Sequence, residues 1–128
     1  MKTIITLLLL CFSSILIAQK TDDLLLAKYT KEEISTMKKS QPDKYEFLKF
    51  FLTDGFYFVD LPEKKSIKSR ISGNVSIANI KEFNFLELNI ELLQNDYKYY
   101  TVDDKKVLLV VKSIDHINSE LKTKNNEN

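Results

Sequence analysis

The stretch YKYYTVDDKKVLLVVKSIDHINSEL, residues 97–121, decides the fold class. Two runs rich in β-branched and aromatic residues, YKYYTV and KVLLVVK, flank Asp103, Asp104 and Lys105, which read as a hairpin loop. Val107 to Val111 is apolar without a break, and a strand of that kind is central and covered on both faces. Ser113 then caps a helix in which Ile114, Ile117 and Leu121 recur at spacings of three and four. Strand, turn, strand and helix therefore follow one another within 25 residues.

Upstream, three further segments read as strands. FYFVDL (56–61) is aromatic and β-branched and is stopped by Pro62. ISGNVSI (71–77) alternates, with Gly73 at an inward position where a bulge is expected. In FLELNIEL (85–92), Leu86, Leu88, Ile90 and Leu92 alternate with Glu87, Asn89 and Glu91, which predicts a strand with one wet face.

Two helices precede the strands. In YTKEEI (29–34), Thr30 and Glu33 stand at capping-box spacing, with Tyr29 and Ile34 at staple positions; Glu32 and Glu33 open the helix and Lys38 and Lys39 close it. In SQPDKYEFLKFFLTDG (40–55), Pro42 suits a first turn and Gly55 a stop. Tyr45, Phe47, Leu48, Phe50, Phe51 and Leu52 cover more than half of the second helix's circumference, so it is buried on two sides or binds something, and burial is the favoured reading. Residues 19–28, QKTDDLLLAK, are ambiguous between helix and extended arm. The order predicts an α+β domain: two N-terminal helices, a mainly antiparallel sheet of four to five strands, and a C-terminal helix.

The chain begins MKTIITLLLLCFSSILIAQK. Lys2 precedes an apolar run ending at Ala18, shorter than the roughly 20 residues a membrane span requires and within the range of a removable export signal. Cleavage before Gln19 is expected. Leu10 directly before Cys11 argues against a lipid anchor there. The expected division is a signal peptide over 1–18, one α+β domain over 19–121 and a disordered polar tail over 122–128, with the domain periplasmic or extracellular and without a membrane span.

Removing residues 1–18 removes Cys11, the only cysteine, and Lys2, the one excess charge. No disulfide, thiol nucleophile or thiolate ligand is then left, and His116 is the only imidazole, which excludes Cys-His catalysis and the usual zinc arrangements. The balanced charge gives no reason to expect nucleic acid, and Lys64, Lys65, Lys68 and Arg70 read as a solvated loop. Gly55 and Gly73 are the only glycines and lie 18 positions apart, which excludes glycine-rich nucleotide motifs. No cofactor or metal is expected.

His116 and Glu120 at one-turn spacing read as an exposed polar pair. Asp22–Asp23 and Asp103–Asp104 lack the spaced ligands of a calcium loop. A carboxylate-dependent hydrolase would need distant acids to converge and is the least favoured function. The candidate contacts for a partner or ligand are Phe47 and Phe50 on the second helix and Tyr97, Tyr99 and Tyr100 on the YKYY strand, where Tyr97 and Tyr99 share a face and Tyr100 points with Val102.

The Leu-rich leader ending IAQK, together with YTKEEI, NFLELNIEL and LLVVKSIDHI, resembles the small exported proteins of Bacteroidota that have no assigned activity. The resemblance implies a Gram-negative envelope location and transfers no functional residues. The expectation is a non-catalytic exported domain that binds another envelope protein, with a sugar- or lipid-binding module as the alternative.

Overall fold

The computed structural model describes residues 19–63 and 68–128, so the readings on the leader, Cys11, Lys64 and Lys65 lie outside the described residues. Residues 19–25 are helical (α1), followed by α2 (Lys31–Ser40), α3 (Pro42–Asp54), β1 (Phe56–Asp60), β2 (Ile71–Val75), β3 (Lys98–Val102), β4 (Val107–Val111) and α4 (Ile114–Asn126). The fold is α+β.

The sheet order is β1-β4-β3-β2, with β4 antiparallel to both β1 and β3. Leu108 to Val111 are at most 3% exposed, as a central strand requires. The β3–β4 hairpin turns where expected, with Asp104 in the left-handed region (φ 56°), which a short polar side chain tolerates. β2 pairs with β3 in parallel, so the sheet is mixed. A register shift between Ile71 and Gly73 marks the bulge.

The predicted strand FLELNIEL is not one. Phe85–Leu88 forms a 3-10 turn, entered through Asn84, whose side-chain oxygen accepts from the Leu86 N–H (3.1 Å), and left through Asn89 in the left-handed region (φ 52°). The physical reason is topological: a parallel β2–β3 pair needs a long crossover, and residues 76–97 supply it. Glu87, Asn89 and Glu91 are exposed while Leu86, Leu88, Ile90 and Leu92 pack on the core, so the alternation records burial without ladder hydrogen bonds. The backbone still serves a neighbour. The carbonyls of Leu93 and Gln94 accept from the N–H groups of Ile114 and Asp115 (both 2.9 Å), and Ser113 Oγ accepts from His116 N–H (3.2 Å), which covers the free donors at the start of α4.

The core lies on one face of the sheet. Val75, Val102, Leu109 and Val111 meet Leu25 of α1, Ile34 and Met37 of α2, Phe51 and Leu52 of α3, and Ile117 of α4. The predicted capping box at Thr30 and Glu33 is present. Helix α4 extends to Asn126, beyond the expected end at Leu121, so most of the residues expected to be disordered are helical. Thr123 Oγ1 donates back to the Ser119 carbonyl (3.1 Å), and Lys124 Nζ lies 5.6 Å from the Phe50 ring, anchoring a turn that carries no apolar residue of its own.

Gly55 stops α3, but in the right-handed region (φ −79°) and not in the left-handed one that favours glycine. Its glycine is required by packing, since an added Cβ would lie 2.7 Å from the Phe51 carbonyl oxygen and would run into the Phe51 ring. A Cβ on Gly73 would meet only the Tyr100 ring, at 3.5 Å. Gly55→Ala is therefore expected to lower stability by about 1–3 kcal/mol through overpacking, whereas Gly73→Ala, inside a strand and at ordinary contact distance from Tyr100, is expected to leave it unchanged or raise it by up to about 1 kcal/mol. Urea unfolding of the two variants side by side checks this, and equal losses would contradict the packing account.

Candidate interaction site

Antiparallel pairing alternates which residues bond across the ladder. Lys112 N–H donates to the Gly55 carbonyl (2.9 Å) and Leu61 N–H to the Lys106 carbonyl (3.0 Å), so the odd-numbered residues of β1 bond to β4. The N–H and C=O groups of Phe56, Phe58 and Asp60 consequently face away from β4, along an edge that pairs with no other strand among the described residues. Their side chains point to the helix-bearing face, where Phe56 stacks on Phe85 (4.8 Å) and Phe83 packs edge-on against Phe56 and Phe58 (5.6 Å each).

Tyr57 and Val59 point the other way and stay 43% and 38% exposed, and Leu61, just past the strand, is 40% exposed. Leu108 and Val110, on the same face at the centre of the sheet, are buried, so the apolar exposure is concentrated at β1.

A cleft of about 750 Å³ runs beside this edge. Phe56, Phe58, Ile80 and Phe83 give it an apolar lining, and Lys20, Lys81, Glu82 and Glu87 add two charges of each sign. One wall is the crossover, the other α1 through Lys20 and Leu24. The two walls are tied by Asn84 Nδ2, which donates to the Leu24 carbonyl (2.9 Å). Helix α1 is in turn fixed to the body by Asp22, whose carboxylate pairs with Lys38 Nζ (2.5 Å) and accepts from the Tyr45 hydroxyl (2.8 Å). The Tyr45 phenol is pushed well above its ordinary range, first by burial and then by the Asp22 carboxylate it donates to.

The residues singled out from sequence do not converge. Phe47 is half-buried against the core, Phe50 lies under Lys124, and Tyr100 packs into the core with Val102. Tyr99 shares the opposite face with Tyr57, each registered against Val110. Tyr97 stands edge-on to the His116 ring (5.4 Å), and its phenol is pushed up by burial and then by Tyr57, Glu120 and Tyr99. His116 Nε2 lies 3.4 Å from Glu120, whose carboxylate is also held by Lys112 Nζ at 2.8 Å. Of the paired acids, Asp22 anchors α1, while Asp103 accepts from Asn74 Nδ2 near the hairpin. Among the described residues, no group of three or more His, Cys, Asp or Glu is placed to hold a metal ion. Among them, too, no helix is long and apolar enough to cross a membrane.

Sequence reasoning missed Tyr57, Val59 and the cleft. The run FYFVD is apolar on both faces, which is the signal, but a pattern of that kind does not distinguish a covered strand from an edge one. Comparison with protein-family models, with curated proteins and with solved structures finds no match.

Because the Tyr45 hydroxyl supports the cleft wall, Tyr45→Phe is expected to cost about 1–2 kcal/mol near neutral pH, discounted for the partial exposure of Asp22 and Lys38. A phenol raised in the folded state contributes fully below the unfolded value of about 10 and is lost as pH rises through the folded value. Urea unfolding at pH 7 and at about pH 11 should show the wild type losing its advantage over the variant at the higher pH. A constant gap would contradict the assignment.

Proposed function

We propose that this is an exported, non-catalytic interaction module that takes an extended polypeptide along the free edge of β1. The observation that carries the reading is the edge at Phe56, Phe58 and Asp60, unpaired among the described residues, beside the 750 Å³ cleft. Strand addition uses such an edge for main-chain hydrogen bonds and an adjoining groove for alternate side chains. Tyr57 and Val59 on the outer face supply further apolar contact. Export is supported by the short apolar run after Lys2 and by a folded body that needs no cysteine.

A second reading, a small amphipathic ligand seated on Phe58 and Phe83, draws on the cleft volume, which falls in the range of small-molecule sites.

Asp60→Pro separates the two. It removes an N–H that β1 does not give to β4, leaving the internal ladder intact while taking a donor from the edge. With a photo-crosslinking residue in place of Lys81, the exported protein should form a polypeptide adduct in its native envelope, several-fold weaker in the Asp60→Pro background. The same crosslinker in place of Thr123 on α4 should give no comparable adduct. Absence of an adduct at Lys81, or indifference to Asp60→Pro, would remove the strand-addition reading.

A further inference from the structure

We infer that processing turns Gln19 into a modification site, where the new N-terminal glutamine closes on itself to the neutral lactam pyroglutamate. The inference rests on the export reading, in which the leader is cut away before Gln19, and it is independent of what the β1 edge takes. The step needs only this residue. The unprotonated α-amine attacks the side-chain amide carbon Cδ; the N–Cδ bond forms, the Cδ–Nε2 bond breaks, and the amide nitrogen leaves as ammonia with a proton from the amine. Nothing is oxidised or reduced, and no other reactant is consumed. An α-amine titrates close enough to neutral pH for an unprotonated fraction to be present.

The fold puts Gln19 where ring closure is both accessible and harmless. Gln19 and Lys20 are exposed, whereas Thr21 and Leu25 are 3% and 0% exposed, so α1 is anchored from Thr21 onward. Asp22 adds its bonds to Lys38 and Tyr45. The glutamine side chain curls back through its own torsions, and the anchored part of the helix has no need to move. With the leader gone, Gln19 is the first residue of α1, and the first N–H groups of a helix have no acceptor within it. The lactam has the same five ring atoms as proline, which a first helical turn accepts, and no preceding residue is left to clash with it. Closure also takes a positive charge away from the positive end of the helix. The position bears on both neighbouring clefts. Gln19 borders one of about 330 Å³ between α1 and α2, with Leu26, Ile34 and Lys38, and the next residue, Lys20, lines the larger one beside β1. Aminopeptidases require a free α-amine, so the lactam keeps Lys20 from being trimmed and preserves that wall.

The intact mass of the protein purified from its native envelope should equal that of residues 19–128 less one ammonia. N-terminal sequencing should be blocked until pyroglutamyl peptidase removes the first residue, and should then begin at Lys20. Gln19→Asn, whose shorter side chain could close only a strained four-membered ring, should keep the full mass of its own 19–128 chain and sequence directly from residue 19. Residues 19–128 at full mass, with Gln19 open to sequencing, would overturn the inference and leave export standing. A chain that begins at another residue would overturn it by moving the glutamine off the terminus, and one that keeps Met1 would remove the export reading as well. A block that persists in Gln19→Asn would assign the modification to a different chemistry and overturn the inference.

Discussion

The structure depends on covering β4. Five consecutive apolar residues, Val107 to Val111, must lose contact with water on both faces and pair their backbone on both edges. Truncating a side chain such as Leu109, which has no exposed surface, would cost about 2–5 kcal/mol. The rest of the chain is arranged around that requirement. β1 takes one edge and β3 the other, and the helices bring Leu25, Ile34, Met37, Phe51 and Ile117 to one face. With β4 saturated, the strands left with one ladder partner among the described residues are β1 and β2, the two ends of the sheet.

Stability without a disulfide in residues 19–128 places the load on shape. The aromatic cluster of Phe51, Phe56, Phe58, Phe83 and Phe85 joins α3, β1 and the crossover through edge-on and stacked contacts at 4.8–5.9 Å. Such contacts are worth about 0.5–1.5 kcal/mol each beyond the area they bury. The same cluster sets the geometry of the free edge. Phe56 and Phe58 are held from below by Phe83 and Phe85, so β1 is presented as a stiff strand, and the crossover that supports it becomes a wall of the cleft.

What was legible in the sequence was whatever a local pattern dictates. Thr30 with Glu33, Ser113 and the hairpin at Asp103 and Asp104 each satisfy backbone groups within a few residues, Pro42 occupies a first turn that needs no donor from it, and each stands where the residue types place it. Burial was also legible, down to the alternation through Leu86, Leu88, Ile90 and Leu92. Hydrogen-bond pairing was not, because period-two alternation reports which side chains are covered and not whether a neighbouring strand is present. Long-range ties were equally hidden. Asp22 stands in a segment whose sequence is ambiguous between helix and extended arm, and only the fold brings it to Tyr45, 23 positions away. Of the candidate contacts, Phe47, Phe50 and Tyr100 lie partly buried against the core, while Tyr97 and Tyr99 lie elsewhere, a division that only the fold displays.

An open apolar edge is a hazard, and the limits on β1 argue that its exposure is managed and not incidental. The strand is five residues long, ended by Gly55 on one side and by Pro62 just beyond it, and Asp60 places a charge at its tip. Short length, a flanking proline and an edge charge are the devices by which soluble proteins prevent runaway strand addition. Here they stop pairing at the ends without blocking it at the centre, where Phe58 and its two outer-face neighbours remain available. Terminators confined to the ends leave room for one short partner strand, and they make its register specific.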